Sequence, residues 1–131
     1  MSVRFGGDPL RQVVAAIAVI TVVSGGVQLL APGFVLGVID GESTAGSRHF
    51  FAIVGMFMVV VGGLLLHGLL TPPLPAYVAL WTGLQKLGAA TAVGLGVANE
   101  VFGALALLVA GFDLLSGALI GLLWWRLRVA S

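Results

Sequence analysis

Lys86 and Asp113 are the residues of this 131-residue chain whose types and placing point to chemistry. Each sits near the middle of a long apolar stretch. A charge at the centre of a membrane-spanning helix costs about 2.5–3.5 kcal/mol, so the two together would cost about 5–7 kcal/mol unpaired. Opposite signs at similar depth on consecutive segments predict a buried ion pair. Such a pair either registers two helices or serves as a proton or ion relay or substrate counter-charge. Lys86 stands eleven residues after Pro75, about 16 Å along a helix, and Asp113 thirteen residues before Arg126, about 20 Å. A lysine stem spans that difference. Ala79, Thr82, Gly83, Lys86, Ala90 and Gly94 share one helix face, and Ala106, Ala110, Asp113, Gly117 and Gly121 share another. Small-residue faces are where helices approach closely.

A second polar set lies toward the other ends of the apolar stretches. Arg48, His49, Glu100 and Gln28 form a candidate outer-face cluster, in which Arg48 pairs with Glu100 or with lipid phosphate. His49 and His67 are candidate axial ligands to a haem or a pigment magnesium. They stand about 27 Å apart at helical rise and cannot share one metal. No HExxH or paired-histidine spacing exists, so no metal site is expected. Thr21, Ser24 and Gln28 make a weakly polar face suited to inter-helix hydrogen bonds. Phe50, Phe51, Met56, Phe57 and Met58 read as lipid-facing or core packing, and less readily as a pigment or isoprenoid groove.

Composition sets the frame for these residues. The chain is 60% hydrophobic and 8% charged, with a net charge of +1. Soluble domains carry roughly 25% charged residues, so lipid must solvate much of this surface. The charge balance offers no basic surface for nucleic acid. The absence of cysteine excludes disulfides, thiolate nucleophiles and iron–sulfur clusters. No glycine-rich phosphate loop is present.

Four helices must position the candidate groups, because about 20 residues cross a bilayer. The first span is expected over 9–30, capped by Asp8 with Pro9 at its first position and stopped near Pro32. Arg4 and Arg11 precede it, but no small-residue cleavage site follows, so it reads as a retained span. The segment 33–39 is too short to cross and is expected at the interface or against the bundle. The sequence DGESTAGS over 40–47 is the one clear polar loop. The second span is expected over 47–70 and the Pro-rich turn at 72–75 ends it. The third is expected over 75–98. The fourth is expected over 100–125, with Asn99 as its cap.

Arg4, Arg11, Arg126 and Arg128 lie at the two termini, and Arg48 alone at a connection on the opposite side. The positive-inside bias therefore places both termini in the cytoplasm. Trp124, Trp125 and Tyr77 read as interfacial anchors. The expected fold is an all-α integral membrane four-helix antiparallel bundle, a single domain, in a bacterial cytoplasmic or intracytoplasmic membrane.

The size, the four-span plan and the placing of Arg48, Lys86 and Asp113 resemble the small DoxX-like membrane proteins over the whole chain. Small multidrug-resistance transporters match in size and span number but carry an acid in their first span, which this chain lacks between Pro9 and Leu30.

Sparse catalytic groups, minimal loops and closely packable helix faces suggest a non-catalytic accessory or structural subunit of a larger membrane complex, respiratory, photosynthetic or similar. The alternative is a small oligomeric proton-coupled transporter in which Lys86 and Asp113 switch partners. A third reading is a membrane enzyme or binder acting on a lipid or quinone, which needs polar groups converging at one depth. The expected partners are lipid together with other subunits or further copies of the chain. Lipid, quinone and pigment all stay open as bound cofactors.

Overall fold

A computed structural model describes residues 7–130; Arg4 lies outside them. The described chain is all helical, with α1 at Pro9–Leu30, α2 at Pro32–Val38, α3 at Ala45–Leu70, α4 at Ala76–Ala98 and α5 at Ala106–Ala130. Three of these, α1, α3 and α5, are long and apolar enough to cross a membrane, with mean hydropathies of 2.3, 2.3 and 2.1. Adjacent Gln85 and Lys86 dilute the apolar character of the fourth long helix, α4. The outward surface carries large apolar side chains such as Leu30, Phe34, Phe50 and Leu108, each more than half exposed. Patches of that kind are solvated far better by acyl chains than by water, so the fold is compatible with an integral membrane protein.

Local signals start and stop the helices. The Asp8 side chain accepts from the Leu10 amide, with Pro9 at the first helical position. Thr44 and Ser47 exchange side-chain and backbone hydrogen bonds in a capping box. That box starts α3 at Ala45, two residues before the expected Ser47. The segment expected at the interface or against the bundle overlaps the short helix α2, Pro32–Val38, with Ile39 as its C-cap.

The start of the last helix corrects the sequence expectation. It begins at Ala106, not Glu100, and Asn99 closes α4 instead of opening α5. Glu100 takes a left-handed conformation (φ 60°). The Val101 and Glu100 amides then donate back to the carbonyls of Gly96 and Val97. This is a Schellman closure of α4 with an acid where glycine is usual. Phe102 folds its ring onto Gly96, so residues 99–105 are used in turning. Asp40 (φ 57°) closes α2 the same way, and the Gly103 amide ties the two turns by donating to the Ile39 carbonyl.

The long helices associate in two tight antiparallel pairs, α1 with α3 and α4 with α5. Glycine permits the first crossing. A Cβ on Gly25 would lie 2.7 Å from the Gly55 carbonyl oxygen, and one on Gly55 would lie 2.6 Å from the Leu29 amide. Between the pairs, α1 touches α5 and α3 touches α4 more lightly, while the backbones of α1 and α4 stay apart across the diagonal. At the end holding both described termini, Val14, Ile17, Ala18, Leu65, Leu69, Val78, Ile120 and Leu123 fill the space between the pairs. Asp8 also accepts there from Arg126 (3.2 Å) and pairs with Arg11 (3.5 Å), so it ties α1 to α5. At the other end only a small cluster of Leu36, Ile39 and Ala106 closes the structure, under α2.

The glycine crossing generates a prediction. Gly55→Ala forces α1 and α3 apart and lowers stability by about 1–3 kcal/mol. Gly88→Ala, where an added Cβ meets nothing within 4 Å, stays within about 0.5 kcal/mol of the parent. Denaturant unfolding in micelles, followed by far-UV circular dichroism, checks both.

Candidate functional site

The two helix pairs separate between the packed end and α2, and the space between them is a cavity of about 580 Å³. Its walls run from Thr21 to Gln28 on α1, from Phe51 to Met58 on α3, from Gln85 to Val93 on α4 and from Ala106 to Asp113 on α5. Eight or nine residues of each helix span about 10–12 Å. Phe34, Val35, Val38 and Ile39 of α2 and its end, with Phe102, close the top. The rim includes exposed Ile20, Val23 and Val27 of α1 and exposed Leu108 and Val109 of α5. The cavity therefore reaches the outer surface beside the seam between α1 and α5, and exposed Phe34 and Val38 of α2 and Val54 of α3 also line it.

Polar groups gather at its floor. Lys86 reaches Asp113 Oδ1 at 3.2 Å, and both residues are at least nine-tenths buried. The approach of α5 to α4 makes this possible. A Cβ on Gly117 would lie 3.2 Å from the Leu87 amide, so the α5 backbone presses against the residue after Lys86. Asp113 stands one turn before Gly117 and faces the ammonium. Lys86 Nζ also donates to Thr21 Oγ1 at 2.6 Å, across the diagonal. Thr21 can accept because its own hydroxyl donates to the Ile17 carbonyl at 2.8 Å. Its methyl lies against Gly62 of α3 (3.1 Å from a built Cβ), which turns the hydroxyl inward. The Phe112 ring lies 5.2 Å from Nζ, within cation–π range. Gln85 completes the floor: its Oε1 is buried and has no hydrogen-bond partner among the described residues.

The expected Lys86–Asp113 pair is thus present and buried. Thr21 as its third member and Gln85 beside it were not anticipated as a site. A signal existed, because Thr21 stands twelve residues into the first span, about 18 Å deep, level with the charged pair. Gln85 is polar, adjacent to Lys86 and inside an apolar helix. Phe112 carried no such mark.

The outer-face set is not brought together. Gln28 is buried in the cavity wall, where Nε2 donates to the Phe51 carbonyl at 3.0 Å. Arg48 turns back to Ser43, donating to its hydroxyl (3.1 Å) and carbonyl (3.3 Å). His49 and Glu100 are exposed, and no hydrogen bond or ion pair joins the four among the described residues. His49 stacks edge-on to Phe50, and His67 is exposed at the far end of α3. Neither imidazole faces the cavity. Of the three polar positions behind the DoxX-like resemblance, Lys86 and Asp113 meet while Arg48 lies apart on the surface. No protein-family model, curated protein or solved structure matches this chain.

The pair's geometry predicts strong coupling. Lys86→Met and Asp113→Leu each strand a buried charge and cost about 3–5 kcal/mol. The double variant replaces both by apolar groups and recovers most of that loss. A double-mutant cycle of unfolding in micelles measures the coupling; additive losses would mean that the two charges do not act as a pair.

Proposed function

We propose that this chain is an integral membrane protein, a four-helix antiparallel bundle, that binds one apolar amphiphile from the bilayer in the cavity between its helix pairs. The observation that carries this reading is the joint presence of an apolar slot and a polar floor at one depth. A volume of about 580 Å³ lies within the roughly 300–1,000 Å³ of ordinary ligand sites. Apolar walls exclude water, and hydrocarbon is their natural complement. The side opening faces the surface that acyl chains would cover. A lipid, a quinone or a similar single molecule enters there, with its tail against Val93, Phe51 and Phe102 and its head toward Lys86 and Gln85.

This geometry favours a binder over the two other readings. An accessory subunit that serves only as a scaffold needs neither a side opening nor an unpartnered amide. A transporter needs a path to both faces, and the packed layer of Val14, Leu65, Ile120 and Leu123 fills the section beneath the floor. The role supported is retention or presentation of the amphiphile, as a lipid-binding or quinone-binding membrane protein.

Arg11 of α1 and Arg126 and Arg128 of α5 share one end, and Arg128 covers the rings of Trp124 and Trp125 at 5.4 and 5.8 Å. The positive-inside bias assigns that end to the cytoplasm of a bacterial cell, with α2 and the 40–44 loop outside. Single cysteines test this assignment in a chain that has none of its own. Ser43→Cys reacts with an impermeant maleimide in intact cells, whereas Arg128→Cys reacts only after the membrane is opened. The reverse pattern would overturn the orientation.

Binding is tested by extraction in mild detergent and mass analysis of the intact particle. About one amphiphile per chain is expected. Ala89→Trp, which places an indole in the cavity, loses that molecule while its circular dichroism stays helical. Unchanged occupancy in Ala89→Trp would defeat the proposal.

A further inference from the structure

Resting on the amphiphile-binding reading above, we infer that the cavity takes an uncharged lipid whose polar end sits at mid-bilayer depth, and rejects amphiphiles with ionic heads of either sign. Two independent observations lead there: the charge of the lining and the depth of the floor.

Among the residues lining the cavity only Lys86 and Asp113 are ionic, one of each sign. They lie 3.2 Å apart and their charges sum to zero. Passing the shared proton from nitrogen to oxygen leaves that sum at zero. Asp40, Glu42, Arg48 and Glu100 stand toward the α2 end, but none of them lines the space. An anionic head would therefore meet no spare cation, because Asp113 already holds Lys86. A cationic head meets the converse problem. Either leaves one charge uncompensated among apolar walls, where an unpaired charge is expensive. The other polar lining residues, Thr21, Ser24, Gln28 and Gln85, are uncharged and cannot supply the missing partner.

Depth is the second constraint. Thr21 is the thirteenth of 22 residues in α1, and Lys86 the eleventh of 23 in α4. About 14–18 Å of helix therefore lies on each side of the floor. The hydrocarbon core of a bilayer is about 30 Å thick, so a bundle that spans it holds this floor near the midplane. A phospholipid keeps its phosphate at the interface, about half a bilayer away. It could bring that phosphate to Lys86 only by drawing an ion through hydrocarbon. The packed layer of Val14, Leu65, Ile120 and Leu123 closes the approach from the opposite side. An uncharged lipid meets neither obstacle, since its polar end already moves within the hydrocarbon. The ligand class is therefore a long-chain compound with a compact neutral polar end, such as an ester, a glyceride or an alcohol, held with that end inward.

Three chain-matched probes, each with a diazirine beside the head, test the inference: a long-chain methyl ester, the corresponding phosphate monoester and the corresponding trimethylammonium compound. The full chain is held in phospholipid nanodiscs with each probe at the same measured membrane concentration, and labelled residues are mapped by mass spectrometry. The ester is expected to label the floor segments 85–89 and 109–113 more than about tenfold over either charged probe. Asp113→Asn leaves Lys86 a lone cation, and the phosphate probe then overtakes the ester at these segments. Lys86→Gln leaves Asp113 a lone anion, and the trimethylammonium probe then overtakes it. In the unaltered protein, floor labelling by a charged probe equal to that by the ester, or ester labelling confined to the roof segment 34–39, overturns the inference and leaves the amphiphile-binding reading standing. A variant that stays helical by circular dichroism yet keeps the ester preference overturns it too. Failure of all three probes to label any cavity segment overturns both readings. The comparison of probes on the unaltered protein decides the matter even if neither variant folds.

Discussion

An ammonium in the middle of an apolar bundle has to find acceptors, and Lys86 finds them on two other helices. Asp113 belongs to the same pair of helices as Lys86, and Thr21 belongs to the opposite pair. The contact to Thr21 is the buried hydrogen bond that crosses the diagonal between α4 and α1, whose backbones do not meet. In low dielectric such a bond is strong, and losing either acceptor leaves a costly unmet charge. Lys86 therefore does more than balance Asp113. It fixes how far apart the two helix pairs stand at one level, and everything above and below that level follows from the spacing.

Below, large side chains fill the separation. Leu65, Leu69, Ile120 and Leu123 are almost fully buried, and the two pairs behave there as one core. Above, the glycines act in the opposite direction. Gly25 and Gly55 draw α1 onto α3 there, while Gly117, one turn from Asp113 toward the packed end, draws α5 onto α4. Each pair is tight within itself, so little side-chain volume is left to bridge the pairs. The cavity is the consequence of tight pairing beside a fixed separation. Its polar floor and its apolar walls thus have one physical origin.

The sequence carried the long-range logic of this arrangement better than its local turns. Two charges of opposite sign at matching depth, on faces of small residues, were enough to foresee the Lys86–Asp113 contact. Asp8, Pro9 and the Pro-rich turn marked their boundaries through ordinary capping and backbone rules. The start of α5 was not legible, because Glu100 is neither glycine nor asparagine, the usual residues of a left-handed helix closure. Nothing in its type announces that role; the packing of Phe102 on Gly96 and the bond from Gly103 to Ile39 impose it. The outer cluster failed for a related reason. Depth alone placed Arg48, His49, Glu100 and Gln28 at one level, but rotation about the α1 and α3 axes separates Gln28 from Arg48 and His49, and Glu100 sits in the turn after α4. Gln28 faces inward, and the other three face out.

The roof of the cavity decides from which direction it is reached. α2 is seven residues long and cannot hold itself closed by helical cooperativity. It is fastened at its end instead, where the Gly103 amide donates to the Ile39 carbonyl and Phe102 packs beside Gly41. Those contacts join the linker after α2 to the linker between α4 and α5, so the roof is shared by both helix pairs. Parting the pairs at the top would break them, and would strain two left-handed residues already held by their neighbours. At the level of the cavity the seam between α1 and α5 has no such fastening among the described residues, although Asp8 and Arg126 join it at the packed end: its rim is Val23, Val27, Leu108 and Val109, all apolar. Dispersion contacts alone line that edge, and they are replaced at little cost by the chain of a passing molecule. Under the proposed binding function, access would be lateral, from the hydrocarbon side, and a head group would reach Lys86 only by travelling along an apolar wall. A molecule with a compact neutral head makes that passage more cheaply than one carrying charge.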